Sequence, residues 1–161
     1  MFERERTLYA FLLGYVEKLV AEIADEDMTR QPTPGVNHPA WQLGHLSVVA
    51  DSGCGLAGRP RVLRLSWHKQ FGPGSTPDAD RSLYPSKEEL LTAYRAGHAR
   101  LAEAVADATP ETIDRPHPLE FLKPGLATVG DLLAHLLTTH EAMHVGHLSS
   151  WRRQMGLPHL F

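Results

Sequence analysis

Apolar residues at Leu8, Leu12, Tyr15, Leu19 and Ile23 follow one another at steps of four, three, four and four. That is the period of one helix face, and it predicts a first helix over about residues 3–26. Asp25 to His38 is polar and carries Pro32, Pro34 and Gly35, which interrupt helices. Asn37-His38-Pro39 then reads as a cap with proline just inside a second helix. Trp41, His45, Val48 and Ser52 share a face of that helix, and Gly58-Arg59-Pro60 ends it.

From Arg59 to Pro85 no period is clear, and a connection this long in a compact domain is usually functional or disordered. Its aromatics, Trp67 and Phe71, favour a packed, pocket-lining role. Ser86-Lys87-Glu88-Glu89 is a capping box opening a helix that places Leu90, Tyr94, Leu101 and Val105 on one side and ends near Thr109-Pro110. Thr128, with Asp131 at the box position, caps a last helix running to about Gly156. Its inward stripe is Leu133, Leu136, Leu137, His140, His144, Leu148 and Trp151. No strand pattern of comparable quality exists. Four amphipathic helices in 161 residues predict an all-α, four-helix bundle in one domain, residues 1–161, with a long loop between helices 2 and 3.

Composition narrows the function classes. The formal net charge is −3, and no Lys/Arg run is long enough to track a phosphate backbone, so nucleic acid is not an expected partner. Arg152-Arg153 is the densest basic spot and fits the ordinary bias of a helix C-terminus. No apolar stretch approaches the length of a membrane span. The charged start, Met1 to Arg6, lacks the core of a signal peptide, which makes the cytoplasm the expected location. Cys54 is the only cysteine, and it lies about half a turn around its helix from His45, facing away from it.

The chemistry lies in the histidines, ten in all. His140 and His144 are four apart, so they stack on one helix face and can converge on one ion. Both fall within an apolar stripe, where an unpaired imidazole is costly to bury. His45 holds a central place on the second helix. Three neutral imidazoles from two facing helices bind a divalent metal and leave a coordination position open, as catalytic sites do. Buried histidines satisfied by hydrogen bonds are the plainer alternative. His147 faces the same way as His144, but it lies about 10 Å along the axis from His140 and cannot easily share one ion with it. It is expected beside the ligands. His98, on the inner side of the third helix, suits a core or pocket role. His135 lies off the main stripe, and His38, His68, His117 and His159 fall in loops, where solvation is expected.

His140-Glu141-Ala142-Met143-His144 also fits the metalloprotease pattern. The longer form of that pattern fails, because Gly146 comes one place early and Ser150 stands where a third histidine is needed. Glu141 is then either a proton acceptor or a carboxylate that is solvated or close to the ligands.

Two segments carry a resemblance to a known family. Trp41-Gln42-Leu43-Gly44-His45-Leu46 is one; Thr128 through Gly156 is the other, above all His140-Glu141-Ala142-Met143-His144-Val145-Gly146-His147-Leu148. With Trp67 to Gly74 and Tyr84-Pro85-Ser86, the chain resembles the DinB-like, or YfiT-like, metalloenzymes over nearly its whole length. The resemblance implies an up-down-down-up four-helix bundle with zinc, nickel or iron on His45, His140 and His144. His147 departs from the glutamine common in relatives. Characterised relatives include transferases and isomerases that use bacillithiol, mycothiol or glutathione, and domains of sulfoxide synthases.

The expectation is therefore a metal-dependent transferase using a low-molecular-weight thiol as cosubstrate. A metal-dependent hydrolase and a non-catalytic metal-binding module are the alternatives. His147 and Glu141 are the candidate catalytic groups, and Trp67, Phe71, Trp41 and His98 the candidate contacts to a small-molecule substrate. A homodimer is left open.

Overall fold

The computed structural model describes residues 1–160. Among them the regular structure is all helical, with one isolated bridge between Pro116 and Thr128. The elements are α1 (Glu3–Ala21), α2 (Pro39–Leu56), α3 (Leu65–Phe71), α4 (Lys87–Asp107), α5 (Pro110–Ile113), α6 (Val129–His135) and α7 (Glu141–Gln154). A π-helical turn, Leu136–His140, joins α6 to α7, so the last helical run is continuous but not regular.

Local chemistry sets the boundaries. His38 caps α2 by accepting the Trp41 backbone N–H, with Pro39 in the first turn. Ser86 and Glu89 form a reciprocal capping box at the start of α4, and Thr128 and Asp131 form another at α6. Either device satisfies two of the amide donors that a helix start leaves unpaired. The first helix is shorter than its stripe predicts. It stops at Ala21, where Lys87 Nζ donates to the carbonyls of Ala21 and Ile23 at 2.9 and 2.6 Å.

Most residues of α2 are buried, on all its sides, the mark of a central helix. It packs chiefly against α4, and α1 chiefly against α7. The α2–α4 approach is close at Gly97, where an added Cβ would meet the Ala50 Cβ at 3.2 Å. One apolar cluster gathers Val20, Leu43, Leu46, Phe71, Leu90, Leu148 and Trp151; a second gathers Tyr9, Cys54, Leu101, Val105, Leu133 and Leu137. Cys54 is thus a core residue, and burial raises its thiol pKa.

Arg152 is not the surface cation that its position suggests. Its side chain is buried, with Nη1 donating to the Leu19 carbonyl at 2.7 Å and Nη2 to Glu22 at 2.7 Å and the Pro158 carbonyl at 3.2 Å. It ties the end of α1 to α7. The long connection after α2 is likewise ordered. Asp51, a buried acid, accepts the backbone N–H groups of Val62 and Leu63, His68 Nε2 at 3.0 Å and Arg100 Nη1 at 3.2 Å. These bonds seat α3 against α2.

Candidate metal centre

Helix α2 and the α6–α7 run bring three imidazoles together. Ligand atoms of His45, His140 and His144 all lie within 4.8 Å of one another. Nδ1 of His45 donates to the Phe71 carbonyl at 2.6 Å, and Nδ1 of His144 donates to Gln42 Oε1 at 3.3 Å. Gln42 is itself fully buried and held by its Nε2, which donates to the Asn37 carbonyl at 3.0 Å. Both rings are oriented through Nδ1, which leaves the Nε2 lone pair free to bind an ion, as outer hydrogen bonds do for metal-binding histidines. Trp41 lies flat on the His45 ring, centroids 4.7 Å apart and planes at 11°, and its Nε1 donates to Ser75 Oγ at 3.0 Å.

The donor set fits an ion. Two nitrogens on a tetrahedral metal at about 2.0–2.1 Å stand roughly 3.3–3.4 Å apart, and Nε2 of His45 and His140 are separated by 3.4 Å. His140 Nδ1 is buried without a hydrogen-bond partner. Among the described residues, His140 Nε2 has only His45 Nε2 within hydrogen-bonding reach, so an ion among the three rings would engage an otherwise underused imidazole.

Electrostatics favour the same form. Burial lowers the pKa of all three, aided at His140 and His144 by the neighbouring imidazoles: His140 to about 4 and His144 to about 2. Metals bind the neutral imidazole, the form that burial favours at each of these rings.

The centre opens onto a cavity of about 380 Å³ that includes His45 and His140 in its wall. His135 stands there too, half-buried, its ring 5.7 Å from that of His140. In a regular helix residues 135 and 140 point roughly 140° apart. The π turn, whose bonds run from i to i+5, swings His135 to the cavity side, so the expectation that it lies off the site does not hold.

The other candidate residues lie around this core. Phe71 is fully buried, with its ring against Gly44, where a Cβ would come within 2.3 Å of it; what it offers the site is its backbone carbonyl. Trp67 packs on Phe71 at 5.2 Å, half-buried. His98 stacks on Tyr9 and lies 3.4 Å from Glu141. Glu141 is buried, not solvated, and accepts a hydrogen bond from the Tyr94 hydroxyl. His147 is exposed, 5.6 Å from the His144 ring, and lines a separate cleft with Asn37 and Gln154. None of Trp67, Phe71, His98, Glu141 and His147 lines the cavity beside His45 and His140.

Two loop histidines expected in solvent are buried staples. His38 Nε2 donates to the Asp78 carbonyl, and His117 Nε2 to that of Leu126, while each Nδ1 accepts a backbone N–H. Gln42 and Asp51 escaped the sequence reading. A glutamine three residues before His45, on a mostly apolar helix, and the lone acid of that helix are the available signals.

Among curated proteins none matches the chain. The family model of the DinB superfamily matches residues 10–148, most of the length, and the chain therefore belongs to the DinB superfamily.

Proposed function

We propose that the chain is a metal-dependent enzyme that transfers a low-molecular-weight thiol to an electrophilic small molecule, using one zinc, nickel or iron ion held by His45, His140 and His144. We read its long helices as the up-down-down-up bundle of one domain. The observation that carries the functional reading is the convergence of three imidazoles, two of them, His45 and His140, on the wall of a cavity. A purely structural ion would be closed off by a fourth protein ligand, and the described His, Cys, Asp and Glu residues supply three.

A divalent ion there would lower the pKa of a bound thiol and stabilise its anion. The chain's own residues do the rest. Phe71 and Gln42 hold the His45 and His144 rings in place, so no reorganisation accompanies binding. Trp41 covers one face of His45 and keeps water from it. His135, kept unprotonated by burial, is the base on the cavity wall and suits acceptance of the thiol proton. Cys54 is sealed in the core, so the reacting sulfur comes from a cosubstrate.

Cobalt-substituted protein tests this. Bacillithiol, mycothiol or glutathione should each be tried, and the cognate thiol should produce a sulfur-to-metal charge-transfer band. Its binding should strengthen as pH rises toward the thiol's free pKa. If no biological thiol alters the spectrum while azide or a carboxylate does, the transferase reading falls and metal-assisted hydrolysis replaces it.

A further inference from the structure

The cavity itself narrows the substrate. Val48 and Val49 of α2, Leu132 of α6, Leu136 of the π turn, and Phe121 and Leu122 of the loop before α6 form most of its wall. Among the described residues, no Lys, Arg, Asp or Glu lines it. Beyond the ligands His45 and His140, the polar side chains are Ser52 and His135. Mostly apolar walls with few polar groups characterise sites for small organic ligands.

Size and charge act together. An apolar cavity of about 150 Å³ accepts benzene, so about 380 Å³ accepts a fused aromatic pair or a medium alkyl chain. A charged body would lose its hydration here without gaining a partner, a large penalty. The charged peptide of a biological thiol, and likewise a sugar whose many hydroxyls would find few partners beside Ser52 and His135, is disfavoured in this cavity. The mouth points the same way: Phe121 and Leu119 both line the cavity region and remain 73% and 38% exposed. Their loop is not slack, because His117 staples it to Leu126 and to the Leu119 amide.

We infer that the electrophilic substrate is an uncharged molecule with an alkyl or aryl body, seated in the cavity between α2 and the α6–π run with its reactive end at His45 and His140. Ser52 and His135 orient its polar end, and Phe121 closes over its far end. This rests on the three-histidine centre for the position of the reactive end, but not on the identity of the nucleophile.

Straight-chain hydroxamates of two to eight carbons on the cobalt protein provide the test, because the head binds metal whatever the natural chemistry. Affinity, followed by the cobalt absorption, should rise about threefold to fourfold per methylene until the cavity fills. An eight-carbon analogue ending in carboxylate should bind at least tenfold more weakly than the plain chain. Val49→Glu, at a half-buried position, should abolish the gain from chain length while metal content and the helical circular-dichroism signal stay at wild-type values. For the metal-free protein, the uncharged fluorophore N-phenyl-1-naphthylamine should bind and be displaced by octanol. Affinity that does not change with chain length, or equal binding of the carboxylate analogue, overturns the inference. A chain-length series that behaves as expected beside thiols that give no band removes the thiol reading and leaves this one standing.

Discussion

His45 is aimed by Phe71: Nδ1 of the imidazole donates to the Phe71 backbone carbonyl at 2.6 Å, across 26 residues of sequence. The contact exists because the Phe71 ring lies where a side chain on residue 44 would have to be, a Cβ there falling 2.3 Å from the ring. Gly44 therefore admits Phe71, and Phe71 orients His45. Gly44→Ala should weaken metal affinity about tenfold to a hundredfold, the usual cost of losing an outer hydrogen bond to a metal-binding histidine. Competition against a chromophoric chelator measures this, with circular dichroism as the control for folding. Unchanged affinity in a folded variant would show that the carbonyl does not position His45.

Asp51 extends the same chain of positioning. Four donors from three segments meet its carboxylate, and α3 hangs on them. Asp51→Asn keeps the volume but removes the charge and turns one acceptor into a donor. It should lower the melting temperature by several degrees, since each kcal/mol moves the midpoint of a domain this size by roughly 2–4 °C. Hydrogen exchange should quicken across residues 60–72 before it quickens elsewhere. Uniform exchange across the chain would contradict this local role.

How much of this was legible in the sequence depends on range. The capping boxes at Ser86/Glu89 and Thr128/Asp131 were, because their partners are three residues apart. The His140/His144 pair and the place of His45 on the α2 face were too, since helical spacing alone brings them inward. The π turn was not: nothing in Leu136 to His140 breaks the helical period, yet the turn carries His135 to the cavity. Nor was the burial of Glu141, whose partners Tyr94 and His98 sit on α4. His38 and His117 are polar residues in loops, and only carbonyls far along the chain or across a turn make them interior.

Acid should destabilise the fold through His38. Burial lowers the His38 pKa to about 4, against about 6.5 for free histidine. Between those values the unfolded chain binds more protons, so stability rises with pH and is lost as pH falls from about 6.5 to 4. Protonation of Nδ1 would also cost the cap it provides to Trp41. His38→Asn, which keeps an acceptor but does not titrate, should flatten part of the pH dependence of the melting temperature in metal-free protein. Parallel curves for the two proteins would contradict the assignment.

Arg152→Met should cost roughly 2–3 kcal/mol, because it strands the buried Leu19 carbonyl and removes a charge-assisted bond to Glu22. Denaturant unfolding measures it. A change within about 0.5 kcal/mol, the range of ordinary surface substitutions, would mean that the guanidinium does not hold α1 to α7.

The central claim is that three histidines form one metal centre, and metal content measured by mass spectrometry on gel-filtered protein tests it most directly. Wild-type protein should carry close to one zinc, nickel or iron ion per chain. His140→Ala and His144→Ala should carry almost none, and His45→Ala should retain only a small fraction after dialysis. Cys54→Ser, altered in the core away from the site, should match wild type. Full occupancy in all three histidine variants would contradict the account.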